Sequence, residues 1–325
     1  MALRVIKDCI IWKKGDSRMK NGLRISVLVL MQISLLGFSI TSPALAGDPL
    51  KVTVSILPQK YFVERIGGDR VEVSVMVLPG ANPATYEPKP RQMVGLTESR
   101  LYFAIGVPFE TVWLHKFAHA HPSMKIVPTE VGIEKIPMKT PHRHPGDENA
   151  GGPVAETGVR DPHIWLSPPL VMIQARNILD ALLKADPENR AAYEANYKQF
   201  ITELVDLDLK ITRLFADGSP GRRFMVYHPA WGYFARAYGL VQIPVESEGK
   251  APTPKALRKL IDEARHDGIR AVFVQPQFST KNAETIARAI EGRVIAADPL
   301  ALDWEKNLLQ VAEQFKSTLE RHMLR

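Results

Sequence analysis

Cysteine is nearly missing from this 325-residue chain: Cys9 is the only one. Past that position there is no thiol to form a disulfide, to ligate a metal or to carry a lipid at a new N-terminus. Any metal site downstream must therefore be built from nitrogen and oxygen ligands. The pattern His-Glu-x-x-His, which puts two zinc ligands and a base on one helix face, is also missing. No self-similarity recurs at 20–50 residues, which argues against a solenoid or propeller. The apolar run at 25–40 is short for a membrane-spanning helix, which needs about 20 residues.

That run has another meaning. It follows a short basic segment with Lys20 and Arg24, and it ends in Ser-Pro-Ala-Leu-Ala at Ala46. A basic start, an apolar middle and a small-residue Ala-x-Ala site form a secretory signal peptide. Residues 1–46 are accordingly read as a cleaved leader, with Met19 as a candidate true start because 1–18 make a poor basic n-region. The leader carries seven Lys/Arg and two Asp/Glu, so +5 of the formal net charge of +7 leaves with it and the mature chain is +2. The high isoelectric point is a leader effect, and nucleic acid drops out as a partner. All nine histidines lie beyond the leader. A soluble periplasmic protein is the expectation.

The mature part alternates strands with helices. Short β-branched or apolar runs at 51–56, 71–77, 100–105 and 125–127 are separated by helical stretches such as 59–66 and 90–99. The same alternation resumes with strands at 224–227, 240–245, 271–274 and 294–297 and helices at 230–238, 254–267, 283–291 and 304–321. Such alternation implies parallel sheets covered on both faces. Residues 139–161, rich in Pro, Gly and charge, interrupt the pattern as a loop. After them Tyr193, Tyr197, Phe200, Leu204, Leu207, Ile211 and Leu214 follow one another at spacings of four and three, a stripe about 30 Å long on one helix. This helix is either half of a helix pair or a strut running along two lobes. The resulting boundaries are a lobe at 47–186, a linker helix at 187–216 and a second lobe at 217–325.

Three residues could carry chemistry. His228 follows the strand at 224–227 and Asp298 follows that at 294–297; open α/β sheets bind ligands at the carboxyl ends of their strands. His163 sits in Asp-Pro-His just after the 139–161 loop and before a helix. Two imidazoles and a carboxylate suit a divalent cation such as zinc. Taken singly each has a plainer reading: a histidine as hydrogen-bonding partner, an Asp-Pro as the start of a turn. His115, His119 and His121 form a further cluster in which positions 115 and 119 would share a helix face.

The motifs LPGANPATYEPKP (78–90), IGVPFE (105–110), DPHIWLSP (161–168), YHPAWGYFARAYGL (227–240), VFVQPQFSTKNAETIA (272–287) and AADPL (296–300) occur in order along nearly the whole mature chain. In these the chain resembles the zinc- and manganese-binding solute-binding proteins of bacterial ABC transporters. The resemblance implies an α/β fold of two Rossmann-like lobes with parallel sheets, joined by a single long rigid helix. It also implies a Zn2+ or Mn2+ cargo held between the lobes by His163, His228 and Asp298, and a monomer that hands it to an inner-membrane permease. One position departs: where the family has a histidine in its first motif, this chain has Ala84. Candidates to fill that place are a water, the loop residues His142 and His144, Glu87 on the same loop, and Gln275, where relatives often carry Glu. The competing readings are an exported zinc hydrolase using two histidines, an aspartate and an open water position, and an adhesin or storage protein on the same fold.

Overall fold

The computed structural model describes residues 48–138, 160–217, 221–246 and 250–320. In chain order the elements of the first half are β1 (Leu50–Val54), α1 (Leu57–Gly67), β2 (Val71–Val75), α2 (Pro90–Leu96), β3 (Leu101–Ala104), α3 (Pro108–Ala120), β4 (Lys125–Pro128) and α4 (Pro168–Ala185). The long α5 (Arg190–Phe215) follows. The second half holds β5 (Arg222–Val226), α6 (Gly232–Ala237), β6 (Leu240–Pro244), α7 (Pro254–His266), β7 (Ala271–Val274), α8 (Lys281–Ala289), β8 (Arg293–Ala296) and α9 (Trp304–Glu320). Proline stands in the first turn of α1, α2, α3, α4 and α7. There its missing N–H costs nothing and its fixed φ starts the helix.

Each half builds one four-stranded, all-parallel sheet, in the orders β2-β1-β3-β4 and β6-β5-β7-β8. The two sheets share one topology, and the expected class is what is found: two Rossmann-like α/β lobes with a long helix between them in sequence. The inner strands β3 (LYFA) and β7 (AVFV) are buried at all four positions, as strands covered on both faces must be. In each sheet the chain order reverses between the first and third strand of the set, so loops splay apart at β1/β3 and at β5/β7 and leave a crevice beyond their carboxyl ends.

The 26 residues of α5 bury Tyr193, Phe200, Leu204, Leu207 and Ile211. The expected stripe is followed except that Tyr197 is half-buried, and at its end Phe215 is buried in place of the half-buried Leu214. A strict seven-residue repeat drifts about 20° per heptad on a straight helix, enough over three heptads to turn 214 off the packed face and bring 215 onto it. Along its length α5 meets α1 and α4 of the first half and α9 of the second. Asn196 donates to the Ile66 carbonyl at 3.1 Å near one end, and Tyr238 donates to Asp208 at 2.9 Å nearer the other. The helix is thus the strut rather than half of an isolated pair. One hydrophobic core runs through both lobes along it, and a second, smaller one lies between the β5–β8 sheet and α7 and α8. Trp304, at the start of α9, packs edge-on against Phe62 of α1 with ring centres 5.0 Å apart, so the last helix reaches into the first lobe.

Candidate metal centre

Parallel pairing decides what lies beside His228. In the β5–β6 ladder Val226 is opposite Pro244, and in the β5–β7 ladder Val226 is opposite Phe273. Two residues further on, beyond the strand ends, the same registers bring His228 level with Glu246 on one side and Gln275 on the other. Both neighbours are used. Glu246, with 2% of its side chain exposed, accepts a short hydrogen bond from His228 Nδ1. Gln275 clips the His228 backbone from both sides: its Oε1 accepts from the His228 N–H at 3.3 Å and its Nε2 donates to the His228 carbonyl at 2.8 Å.

His163 is held in the same manner by its own motif. Asp161, 1% exposed, accepts at one oxygen from the His163 backbone N–H (2.9 Å) and from its Nδ1 (2.7 Å). The other Asp161 oxygen packs against Gly232, where a Cβ would sit 2.7 Å from it. Tyr233, the next residue of α6, donates to the Asp161 carbonyl at 2.8 Å and accepts from the Ile136 N–H at 3.1 Å. The second lobe therefore grips the base of the 139–161 segment, whose flanks Pro137 and Arg160 form an isolated antiparallel bridge.

The two imidazoles face each other with Nε2 atoms 3.3 Å apart. A carboxylate is acceptor-only, so each Nδ1 carries the hydrogen and each Nε2 presents a lone pair. Two lone pairs pointed at one another repel unless a cation lies against both. Nitrogen ligands about 2.0–2.1 Å from a tetrahedral zinc stand about 3.3 Å apart, the separation found here. Burial holds the pKa of His228 below its ordinary value; Glu246 pulls it up and His163 pushes it further down. The ring is thereby kept neutral and available as a ligand. Aromatic walls fix both rings: Phe278 stacks on His228 at 4.9 Å and 19°, and Trp165 lies 5.1 Å from His163.

Asp298 is held in the same region by different means. Its Oδ1 accepts from Gln277 Nε2 at 3.1 Å and from the Leu300 N–H at 2.9 Å, and Asn307 ties its carbonyl at 2.7 Å. Trp165 Nε1 donates to the Pro299 carbonyl at 2.7 Å and Trp304 Nε1 to the Trp165 carbonyl at 2.8 Å, locking the Asp-Pro-His segment to the Asp-Pro-Leu segment. The two histidines line a cleft of about 520 Å³ with Ala84, Gln277 and Leu300. Asp298 lines a smaller cavity that shares Gln277 and Leu300 with it. Among the described residues no three His, Cys, Asp or Glu side chains are gathered as a metal site. Ala84 reaches the cleft on the loop after β2, its N–H held by Asn82 at 2.9 Å. Glu87, on the same loop, is exposed and is not part of the cleft wall, and Gln275 is spent on the His228 backbone. His142 and His144 lie outside the described residues, and His115 and His119 are exposed on α3.

Sequence reasoning gave no role at the site to Asp161, Gln277 or Glu246. Asp161 carried a readable signal, an aspartate two residues before a histidine, the spacing of a local side-chain-to-backbone turn. Glu246 and Gln277 carried none, because their roles depend on which strands are neighbours.

The family model for ZnuA, described as zinc-uptake complex component A, periplasmic, matches residues 52–320. The Bacillus subtilis (strain 168) protein named high-affinity zinc uptake system protein ZnuA is 29% identical over 251 residues, covering 75% of this chain and 76% of that one. A crystal structure of ZnuA is 44% identical with a TM-score of 0.75, covering 83% of this chain and 99% of that one. A zinc-bound deletion mutant of ZnuA is likewise 44% identical, with a TM-score of 0.75 over 84% of this chain and 98% of its own. The Mn2+ complex of the solute-binding protein FpvC from Pseudomonas aeruginosa, 21% identical with a TM-score of 0.69 over 85% of this chain and all of that one, shares the fold.

Proposed function

The chain belongs to the family of periplasmic zinc-uptake components, and from that premise we propose that it captures a divalent cation, zinc with manganese as the alternative, and delivers it to the permease of an ABC transporter. The observation that carries this reading is the pair of facing Nε2 atoms at 3.3 Å, each imidazole backed by a buried carboxylate. The cargo is held by His163, His228 and Asp298, the last exchanging its bond from Gln277 for the metal. His142, His144, Glu87 and Gln275 stand behind these as supplementary donors, the last two being less well situated for the reasons given above. Neutral imidazoles hold the cation without turnover. The protein is not an enzyme: its family is a solute-binding component of transport systems, and Glu246, the carboxylate that could have served a hydrolase as base, is engaged by His228.

The working form is the chain without residues 1–46, a monomer in the periplasm that docks at the inner membrane. Its lobes are 47–186 and 217–325, with 187–216 as the linker. Because α5 and the shared core tie the lobes together, capture proceeds with small local adjustments at the cleft rather than a wide hinge.

The test is elemental analysis with competitive chelator titration of the mature protein and of His163→Ala, His228→Ala and Asp298→Ala. Structural zinc sites bind with about 10–16 kcal/mol over four ligands, so each is worth about 3 kcal/mol, or roughly 100-fold in affinity. Losses of that order at both histidines, with one zinc per wild-type chain, are expected. Wild-type affinity in all three variants would refute the site.

A further inference from the structure

A bare cation does not account for the shape of the cleft. A water's share of liquid volume is about 30 Å³, and an ion with one or two waters needs little more, yet the cleft holds about 520 Å³. That lies within the roughly 300–1,000 Å³ of small-molecule sites, which are apolar cavities with a few placed polar groups. The walls fit that description. Val107, Pro108, Met138, Trp165, Phe278 and Leu300 are apolar, and the convergent polar groups beside them are few: the two imidazoles, Glu246 behind His228, Gln277 and the Asn82–Thr85 turn. Ala84, a methyl group where an imidazole would complete the coordination of a tetrahedral ion, opens onto the same space.

Resting on the capture reading above, we propose that the cargo enters this cleft as a complex: a zinc ion bearing a small organic chelator of the amino-acid type. The chelator's amine and carboxylate bind on the Ala84 side, one at the tetrahedral position that the chain's own side chains leave open and the other expanding the ion to five-coordinate. Its organic part lies against Trp165 and Phe278.

The experiment is native mass spectrometry and competitive titration of the mature protein with Zn2+ alone and with Zn2+ plus L-histidine. Ala84→His serves as comparator; Ala84 is exposed, so the fold tolerates the change. The expected result for the wild type is an adduct of one zinc and one histidine. Its zinc affinity, corrected for metal held by free histidine, rises at least tenfold over bare zinc. Ala84→His is expected to bind bare zinc more tightly than the wild type and to lose the histidine adduct. A wild type that takes up one bare zinc, with histidine only stripping the metal, overturns this inference and leaves the capture reading standing. A wild type that takes up zinc in neither form overturns both.

Discussion

Glu246 offers the sharpest test of how the site is held. Its carboxylate is buried and accepts from His228 Nδ1, while the backbone of His228 is fixed independently by Gln275. A change at 246 therefore alters the ring's orientation, tautomer and basicity while leaving the backbone clip in place. Glu246→Gln keeps an acceptor of the same shape but trades a charge-assisted hydrogen bond for a neutral one. These are worth about 1.5–3 and 0.5–1.5 kcal/mol, so the loss is about 1.4 kcal/mol, or tenfold in zinc affinity. Glu246→Ala removes the acceptor, lets the imidazole turn and lets the hydrogen migrate to the nitrogen that faces the metal. For outer partners of ligating histidines such truncations cost about 10–100-fold, and the upper end applies because the ring loses both its tether and its tautomer. The assay is competitive chelator titration at pH 7.5, with thermal melts of the metal-free proteins to register any general loss of fold. The graded order, wild type tighter than Gln and Gln tighter than Ala, is the signature of ring orientation. An Ala variant with wild-type affinity would refute the role assigned to Glu246.

Three further outcomes follow from the geometry. In Gly232→Ala the new Cβ meets an Asp161 oxygen at 2.7 Å and Gln242 Nε2 at 3.1 Å; Asp161 is displaced from His163 and zinc binds about 10-fold more weakly, whereas unchanged affinity would mean that Asp161 does not hold the ring. Because His228 is held below its ordinary 6.5, its folded form resists protonation that the unfolded chain accepts. The metal-free protein therefore keeps this contribution above pH 6.5 and loses it as the pH falls below; an NMR titration of the His228 ring should give a midpoint under 6.5, and one at or above it contradicts the burial argument. Glu110 runs the other way. Buried and bonded to Ser55 and the Ile105 and Gly106 N–H groups, its carboxyl is pushed up to about 7, chiefly by burial. Its contribution to stability is complete below pH 4.5 and is lost as the pH rises through 7, at up to about 1.4 kcal/mol per pH unit. Chemical denaturation of Glu110→Gln should lack this slope, and an identical slope in the variant would assign it to another group.

Local patterns in the sequence were enough to read most of the architecture. Period-two and period-3.6 spacing marked all eight strands of the described residues and the long helix, because these signals depend on neighbours a few residues apart. The ordered motifs from Leu78 to Leu300 likewise pointed to a metal carrier, and His163 and His228 were named from them. What only the tertiary structure decided is the meeting of those histidines, 65 residues apart in the chain, with their Nε2 atoms 3.3 Å apart. Strand adjacency also set the partners, placing Glu246 and Gln275 on either side of His228 through ladders that no local spacing encodes. It left Asp298 bonded to Gln277 in the adjoining cavity. Non-local pairing brings distant residues together by burying both sheet faces, and sequence reports only that the faces are apolar, not which loops then come to lie side by side.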